Sequence, residues 1–168
     1  MLDKDNLLKN IDEKGYNFTV HNHKPLFTVE DSMLNRGKIK GAHSKNLFLK
    51  NKKNCYFLFS CLEDTKVELK KVAKSLKLGN ISFAKEEDLK KYLGVRPGSV
   101  TPFGLLNDKE NEVQFYLDNK VLSQKIINFH PLINTATISL SVVDFMNFFL
   151  ENNKKVNIFN FDNYSLIS

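Results

Sequence analysis

The chain has 168 residues, of which 42% are hydrophobic and 26% charged, the size and composition of one folded domain and not of a disordered tail. No run approaches the eighteen or so uncharged apolar residues of a membrane-spanning helix, and the opening Met1-Leu2-Asp3-Lys4-Asp5 lacks the order of a secretory signal. Basic residues outnumber acidic ones 25 to 19, a net charge of +6 that biases the chain toward polyanionic partners.

A first helix is expected over roughly residues 4–14, where Leu7, Leu8 and Ile11 share a face, Asp3 or Asp5 can cap the start and Gly15 stops it. A strand at 17–21 turns Phe18 and Val20 inward. Thr28 followed by Glu30 and Asp31 has the form of a helix cap. Leu47-Phe48-Leu49 and the apolar run Cys55–Phe59 read as two strands joined by a lysine-rich turn at 50–54, the second of them buried on both faces. Leu69, Val72, Ala73 and Leu76 stand at i, i+3, i+4, i+7 and predict an amphipathic helix ending at Gly79. Leu89, Tyr92 and Leu93 repeat that spacing before Gly94. Residues 94–104 hold three of the seven glycines and two of the four prolines, which makes a constrained loop. Strands are expected at 112–117, 126–129 and 136–140, then a helix near 142–151 with Val142, Met146, Phe149 and Leu150 on one side, then a last strand near 155–159. Strands and helices mix without strict alternation, so the fold class is α+β: one domain over residues 1–168 around a mixed sheet.

Phosphate-cradling, zinc-protease and nucleophile-elbow motifs are all absent. The four histidines, His21, His23, His43 and His130, have no metal-ligand spacing, and neither metal nor cofactor is expected. Cys55 and Cys61 are too few for a disulfide framework, which points to a reducing, cytoplasmic setting. The basic residues are lysines except Arg36 and Arg96, compact charges suited to a phosphate backbone more than to base edges. Three segments stand out: Gly41–Leu49, with Lys45 at the mouth of a strand; the 94–104 loop, able to present backbone N–H groups to an anion or carbonyl oxygen; and His130–Thr137, opening another strand. Taken singly each reads as an ordinary surface lysine, a structural turn or a satisfied histidine.

Together the segments His23–Glu30, Lys45–Lys50, Gly94–Asp108 and Phe129–Thr137 resemble the YbaK/prolyl-tRNA synthetase-associated editing family, most closely its freestanding alanyl-tRNA(Pro) deacylase branch. The resemblance runs through nearly the whole chain. It implies a barrel-like, twisted mixed sheet surrounded by helices and a hydrolase that cleaves the ester of mischarged tRNA(Pro), in first place Ala-tRNA(Pro). Cys- or Ser-tRNA(Pro) and a noncatalytic tRNA-binding module of the same fold are the alternatives. It implies that Lys45 is the essential residue and that Gly98 opens the G-x-x-x-P loop lining the site. His130 would bound the amino-acid pocket with Thr28 near it. The substrate-binding set is Thr28, Asn46, Ser99, Val100, Thr101, Pro102, His130, Asn134 and Thr135, and Lys50, Lys52 and Lys53 would track the tRNA backbone. The implied partners are the acceptor end of mischarged tRNA(Pro) and, transiently, prolyl-tRNA synthetase; no membrane is expected. The implied mechanism is substrate-assisted water attack, with the Gly98–Thr101 amides facing the carbonyl oxygen.

Overall fold

The computed structural model of the chain describes residues 1–25 and 39–168; the cap expected at Thr28 lies outside the described residues. Helix α1 (Lys4–Glu13) starts where Asp3 accepts from the Asn6 N–H at 2.9 Å, and buries Leu7 and Ile11. Strands β1 (Phe18–Asn22), β2 (Ala42–Asn51) and β3 (Tyr56–Leu62) follow, then α2 (Leu69–Leu76), β4 (Ile81–Phe83) and α3 (Glu86–Asp88), which runs on into a π turn over Leu89–Leu93. A 3₁₀ helix at Pro102–Asn107 precedes β5 (Val113–Asp118), β6 (Ile126–Phe129), β7 (Ala136–Ser141), α4 (Val142–Glu151), β8 (Asn157–Asn160) and β9 (Ser165–Leu166).

The strands form a nine-stranded mixed sheet in the order β1-β7-β6-β2-β3-β5-β8-β9, with β4 paired to β2. Strand β2 is the junction. It runs parallel to β6 through Ala42↔Ile127 and His43↔Asn128, and antiparallel to β3 from Ser44↔Leu62 to Lys50↔Tyr56. The expectation for the apolar run holds: Tyr56 to Cys61 are all buried, because β3 lies between β2 and β5 and carries core on both faces. Leu58 joins the larger core of α1, α3 and α4, whereas Phe57, Phe59 and Cys61 face the smaller one beneath α2.

Several details differ from the sequence expectation. β2 absorbs Lys50 and Asn51, so the turn is shorter than 50–54. Leu150 is 73% exposed, and α4 instead buries Val142, Phe145, Phe148 and Phe149. The constrained loop ends in the 3₁₀ helix, which Thr101 caps by accepting from the Phe103 N–H at 3.3 Å, with Pro102 at its first position. Phe103 from that helix meets Phe129, Phe145, Phe148 and Phe149 at 5.8–6.1 Å between ring centroids, most of them edge-on. This aromatic knot fastens the loop to the end of β6.

The close fit has a measurable consequence. A Cβ on Gly104 would stand 2.8 Å from Leu93 Cβ and 3.0 Å from the Leu93 carbonyl oxygen, where backbone cannot yield cheaply. Gly104→Ala should therefore cost about 1–3 kcal/mol in denaturant unfolding, the range for overpacking; an unchanged midpoint would show that the loop sits loosely on α3.

Candidate active site

Side chains alternate across a strand, so β2 presents His43, Lys45, Leu47 and Leu49 on one face. Along that face polar residues give way to apolar ones. Leu47 and Leu49 pack on the smaller core, while His43 stands beside Asn128 of β6. Lys45 is half-buried at the boundary between them, opposite Cys61 in the β3 register. Among the described residues no carboxylate forms an ion pair with its ammonium.

The same face continues across the sheet. Asn128 pairs with Ser139, and the Ser139 hydroxyl donates to the Asn128 side-chain oxygen. His21 pairs with Thr137, which is buried. His130 lies two residues beyond Asn128, as Lys45 lies two beyond His43. The parallel register therefore carries both toward the same end of one polar face. His130 Nδ1 sits 3.1 Å from the Ala136 carbonyl, which can only accept, so Nδ1 carries the hydrogen and Nε2 of the neutral ring is left as an acceptor.

The loop supplies donors. Gly98 has φ +87°, a left-handed conformation that a side chain would strain by about 1–2 kcal/mol. Of the four amides expected to face a carbonyl oxygen, that of Ser99 is occupied, donating to the Arg96 carbonyl at 3.0 Å. Among the described residues those of Gly98, Val100 and Thr101 have no acceptor. Three N–H groups on a pinned turn suit an oxygen that gains charge.

A model of the aminoacyl-tRNA editing domain matches residues 23–148 of the chain. The prolyl-tRNA synthetase associated domain-containing protein 1 of Bos taurus is 41% identical over 145 residues, covering 83% of this chain and 84% of that protein. The prolyl-tRNA editing protein ProX of Acetoanaerobium sticklandii is 33% identical over 144 residues, covering 84% and 87%. The crystal structure of a candidate trans-editing enzyme for prolyl-tRNA synthetase superposes with a TM-score of 0.67 at 17% identity, covering 93% of this chain and 96% of that one. The chain belongs to the aminoacyl-tRNA editing domain family.

Within this editing domain the remaining expected site residues separate. Ser99, Asn134 and Thr135 line one cavity of about 780 Å³ with Arg96, Pro97 and the N-terminal residues; Lys45 and His130 are not part of its lining. Asn46 points away from Lys45 by strand alternation, and its side-chain oxygen accepts from the Ser60 hydroxyl. Pro102 is buried in the first turn of the 3₁₀ helix, where it serves the loop's shape. Lys50 is committed to the fold: its ammonium lies 3.6 Å from buried Asp88, which also accepts from the Tyr56 hydroxyl at 2.9 Å. Lys52 and Lys53 stand exposed at the β2–β3 turn, about 23 Å from Lys45 at about 3.3 Å per residue. Thr28 falls outside the described residues.

His23 was missed as a site residue. Its Nε2 lies 2.8 Å from the Thr137 hydroxyl, its backbone N–H donates to the Thr135 carbonyl at 2.9 Å, and its ring stands 6.4 Å from that of His130. Sequence places His23 two residues from His21 but cannot show that β1 pairs with β7, which is what brings it to His130. Cys61 is not a reactive thiol: burial pushes it up to about 12, although the charge of Lys45 pulls the other way.

Burial also pulls the His130 imidazole below its ordinary pKa; the Ala136 carbonyl opposes this and His23 adds to it. A half-buried histidine held neutral contributes stability that is complete above the unfolded value of about 6.5 and falls as pH drops toward the folded value. The unfolding free energy of the wild type should thus fall more between about pH 7.5 and pH 5.5 than that of His130→Gln. Parallel losses in the two proteins would mean that His130 stays freely solvated.

Proposed function

We propose that this protein is a trans-editing deacylase that hydrolyses mischarged tRNA(Pro), in first place Ala-tRNA(Pro). What supports this reading is the parallel register that directs half-buried Lys45 and His130 toward one end of a polar face, together with a turn whose Gly98, Val100 and Thr101 amides have no acceptor among the described residues. The names of the relatives support the coarser reading, prolyl-tRNA editing. Prolyl-tRNA synthetase is then a transient partner. No helix among the described residues is long and apolar enough to cross a membrane.

Hydrolysis adds water across the ester. The water oxygen bonds to the carbonyl carbon, the carbon–ribose oxygen bond breaks, and the proton passes to the departing ribose oxygen. The carbonyl oxygen carries negative charge on the way. The amides of Gly98, Val100 and Thr101 receive that charge without reorganising. Lys45 holds the terminal phosphate or ribose from a strand end that packing keeps still, so the ester stays in register with the loop. The neighbouring free ribose hydroxyl positions the water, which is the substrate-assisted part.

Selectivity follows from size. A synthetase pocket built for proline rejects alanine by only about 1–3 kcal/mol. A second site that alanine fits and proline overfills completes the discrimination, with His130 as one wall. Its other ring nitrogen is tied to Ala136, so the wall cannot swing aside cheaply.

Lys45→Ala should fold normally and lose at least about a hundredfold in deacylation, and Lys45→Arg should do little better, since a planar fork does not replace a compact ammonium. The assay is release of labelled amino acid from Ala-, Cys-, Ser- and Pro-tRNA(Pro). Wild type should release alanine and spare proline, and His130→Ala should relax the exclusion of proline before it abolishes turnover. Equal wild-type rates on alanine and proline would refute the sieve, and a preference for cysteine or serine would reassign the substrate.

A further inference from the structure

The lysines of this protein fall into two populations. Lys9, Lys14, Lys50, Lys71 and Lys120 each have a carboxylate within 4 Å. Lys70, Lys74 and Lys77 have none among the described residues, and all three are exposed. They stand at i, i+4 and i+7 on and just past α2, with buried Ala73 between them and Val72 buried on the opposite face. The three line a single cleft of about 570 Å³ with Gly79, Asn80 and Ile81. No Asp or Glu occurs in the sequence from 69 to 85, or from 32 to 62. The exposed Lys52 and Lys53 extend the same field, because Asn51 at their turn donates to the Leu78 carbonyl at 3.0 Å.

A solvated helix surface usually alternates charge sign along its face. This one keeps a single sign around a concavity, the form that concentrates a polyanion. We propose that the Lys70–Lys74–Lys77 cleft is the docking surface for the ribose-phosphate backbone of the substrate's acceptor stem. The proposal rests on the deacylase reading for the identity of the RNA, and the geometry sets which part of it arrives. Ile81 of the cleft pairs with Asn51, six residues along β2 from Lys45, a separation of about 20 Å at about 3.3 Å per residue. A terminal adenosine held at Lys45 therefore puts the cleft on backbone about 20 Å inward of the strand's end. That backbone offers phosphates and ribose hydroxyls, which suit lysine.

The test combines Lys70→Gln, Lys74→Gln and Lys77→Asn, asparagine being chosen because Lys77 holds a left-handed cap at φ +56°. KM for charged tRNA and Kd for uncharged tRNA are measured from about 50 to 200 mM salt, with circular dichroism to verify folding. The expected result is an increase in KM and Kd on the order of tenfold at low salt, with kcat at saturation within about twofold of wild type. The log–log salt slope should become shallower by about 2, since each lost phosphate contact removes about 0.7–0.9. Wild-type values of both Kd and slope in the folded variant would overturn the cleft. If the wild type hydrolyses no ester yet binds tRNA, the deacylase reading fails while the change in Kd still decides the surface.

Discussion

Strand β2 belongs to two halves of one sheet, and its alternation fixes nearly everything that follows. Its parallel pairing with β6 and antiparallel pairing with β3 both hold only if Phe48 enters the large core and Leu49 the small one. A slip of one residue would bury Lys45 among the phenylalanines of the large core and turn Phe48 to the polar face. Two cores of opposite parity therefore protect the position of one lysine. A slip would cost two side-chain sets at once and not one hydrogen bond, which fixes where Lys45 stands.

The other half of the site depends on aromatic packing. Phe103 leaves the loop immediately after Pro102, and Phe129 leaves β6 immediately before His130. Their edge-on contact at 6.1 Å, inside the ring cluster of α4, ties the loop to the end of β6 across 26 positions of sequence. The left-handed Gly98 and the close approach of Gly104 to Leu93 then leave the loop little freedom. Preorganisation of this kind suits a site that works by orientation, which must be rigid before a substrate arrives.

Much of this was legible in the sequence, and the exceptions share a cause. The amphipathic α1 and α2, the doubly buried β3 and the Gly/Pro loop declare themselves through periodicity and composition, which are local signals. β4 and β9, three and two residues long, are too short to carry a period. The 3₁₀ helix was signalled by Thr101-Pro102, a cap followed by proline, but read as part of the loop. Leu150 was placed inward because hydrophobicity alone does not tell which edge of a helix stripe meets the core. Within the site, Lys45, Gly98 and His130 came from shared motifs, whereas the pairing of β1 with β7 that brings His23 to His130 is a long-range fact. Asn46 and Lys50 mark the limit of the motif reading: adjacent to the right residues in sequence, they are turned by strand parity or ion pairing to structural work.

The charges complete the division of labour. The buried carboxylates are used inward: Asp88 gathers the Tyr56 hydroxyl, the Lys50 ammonium and the Lys85 N–H, and Asp118 accepts from the Thr65 hydroxyl and the Lys120 N–H. Each removes a polar group from competition with solvent and locks a strand end or turn. With those acids turned inward, the net charge of +6 is expressed at the surface, where Lys70, Lys74 and Lys77 on and just past α2 and Lys52 and Lys53 of the β2–β3 turn have no carboxylate partner among the described residues. Field and chemistry then arise on the same strand. β2 places Lys45 at the polar end of its face and, six residues on, pairs through Asn51 with the wall of the basic cleft. On the proposed reading, an RNA strand drawn to the cleft by long-range attraction would have its end at the distance of Lys45.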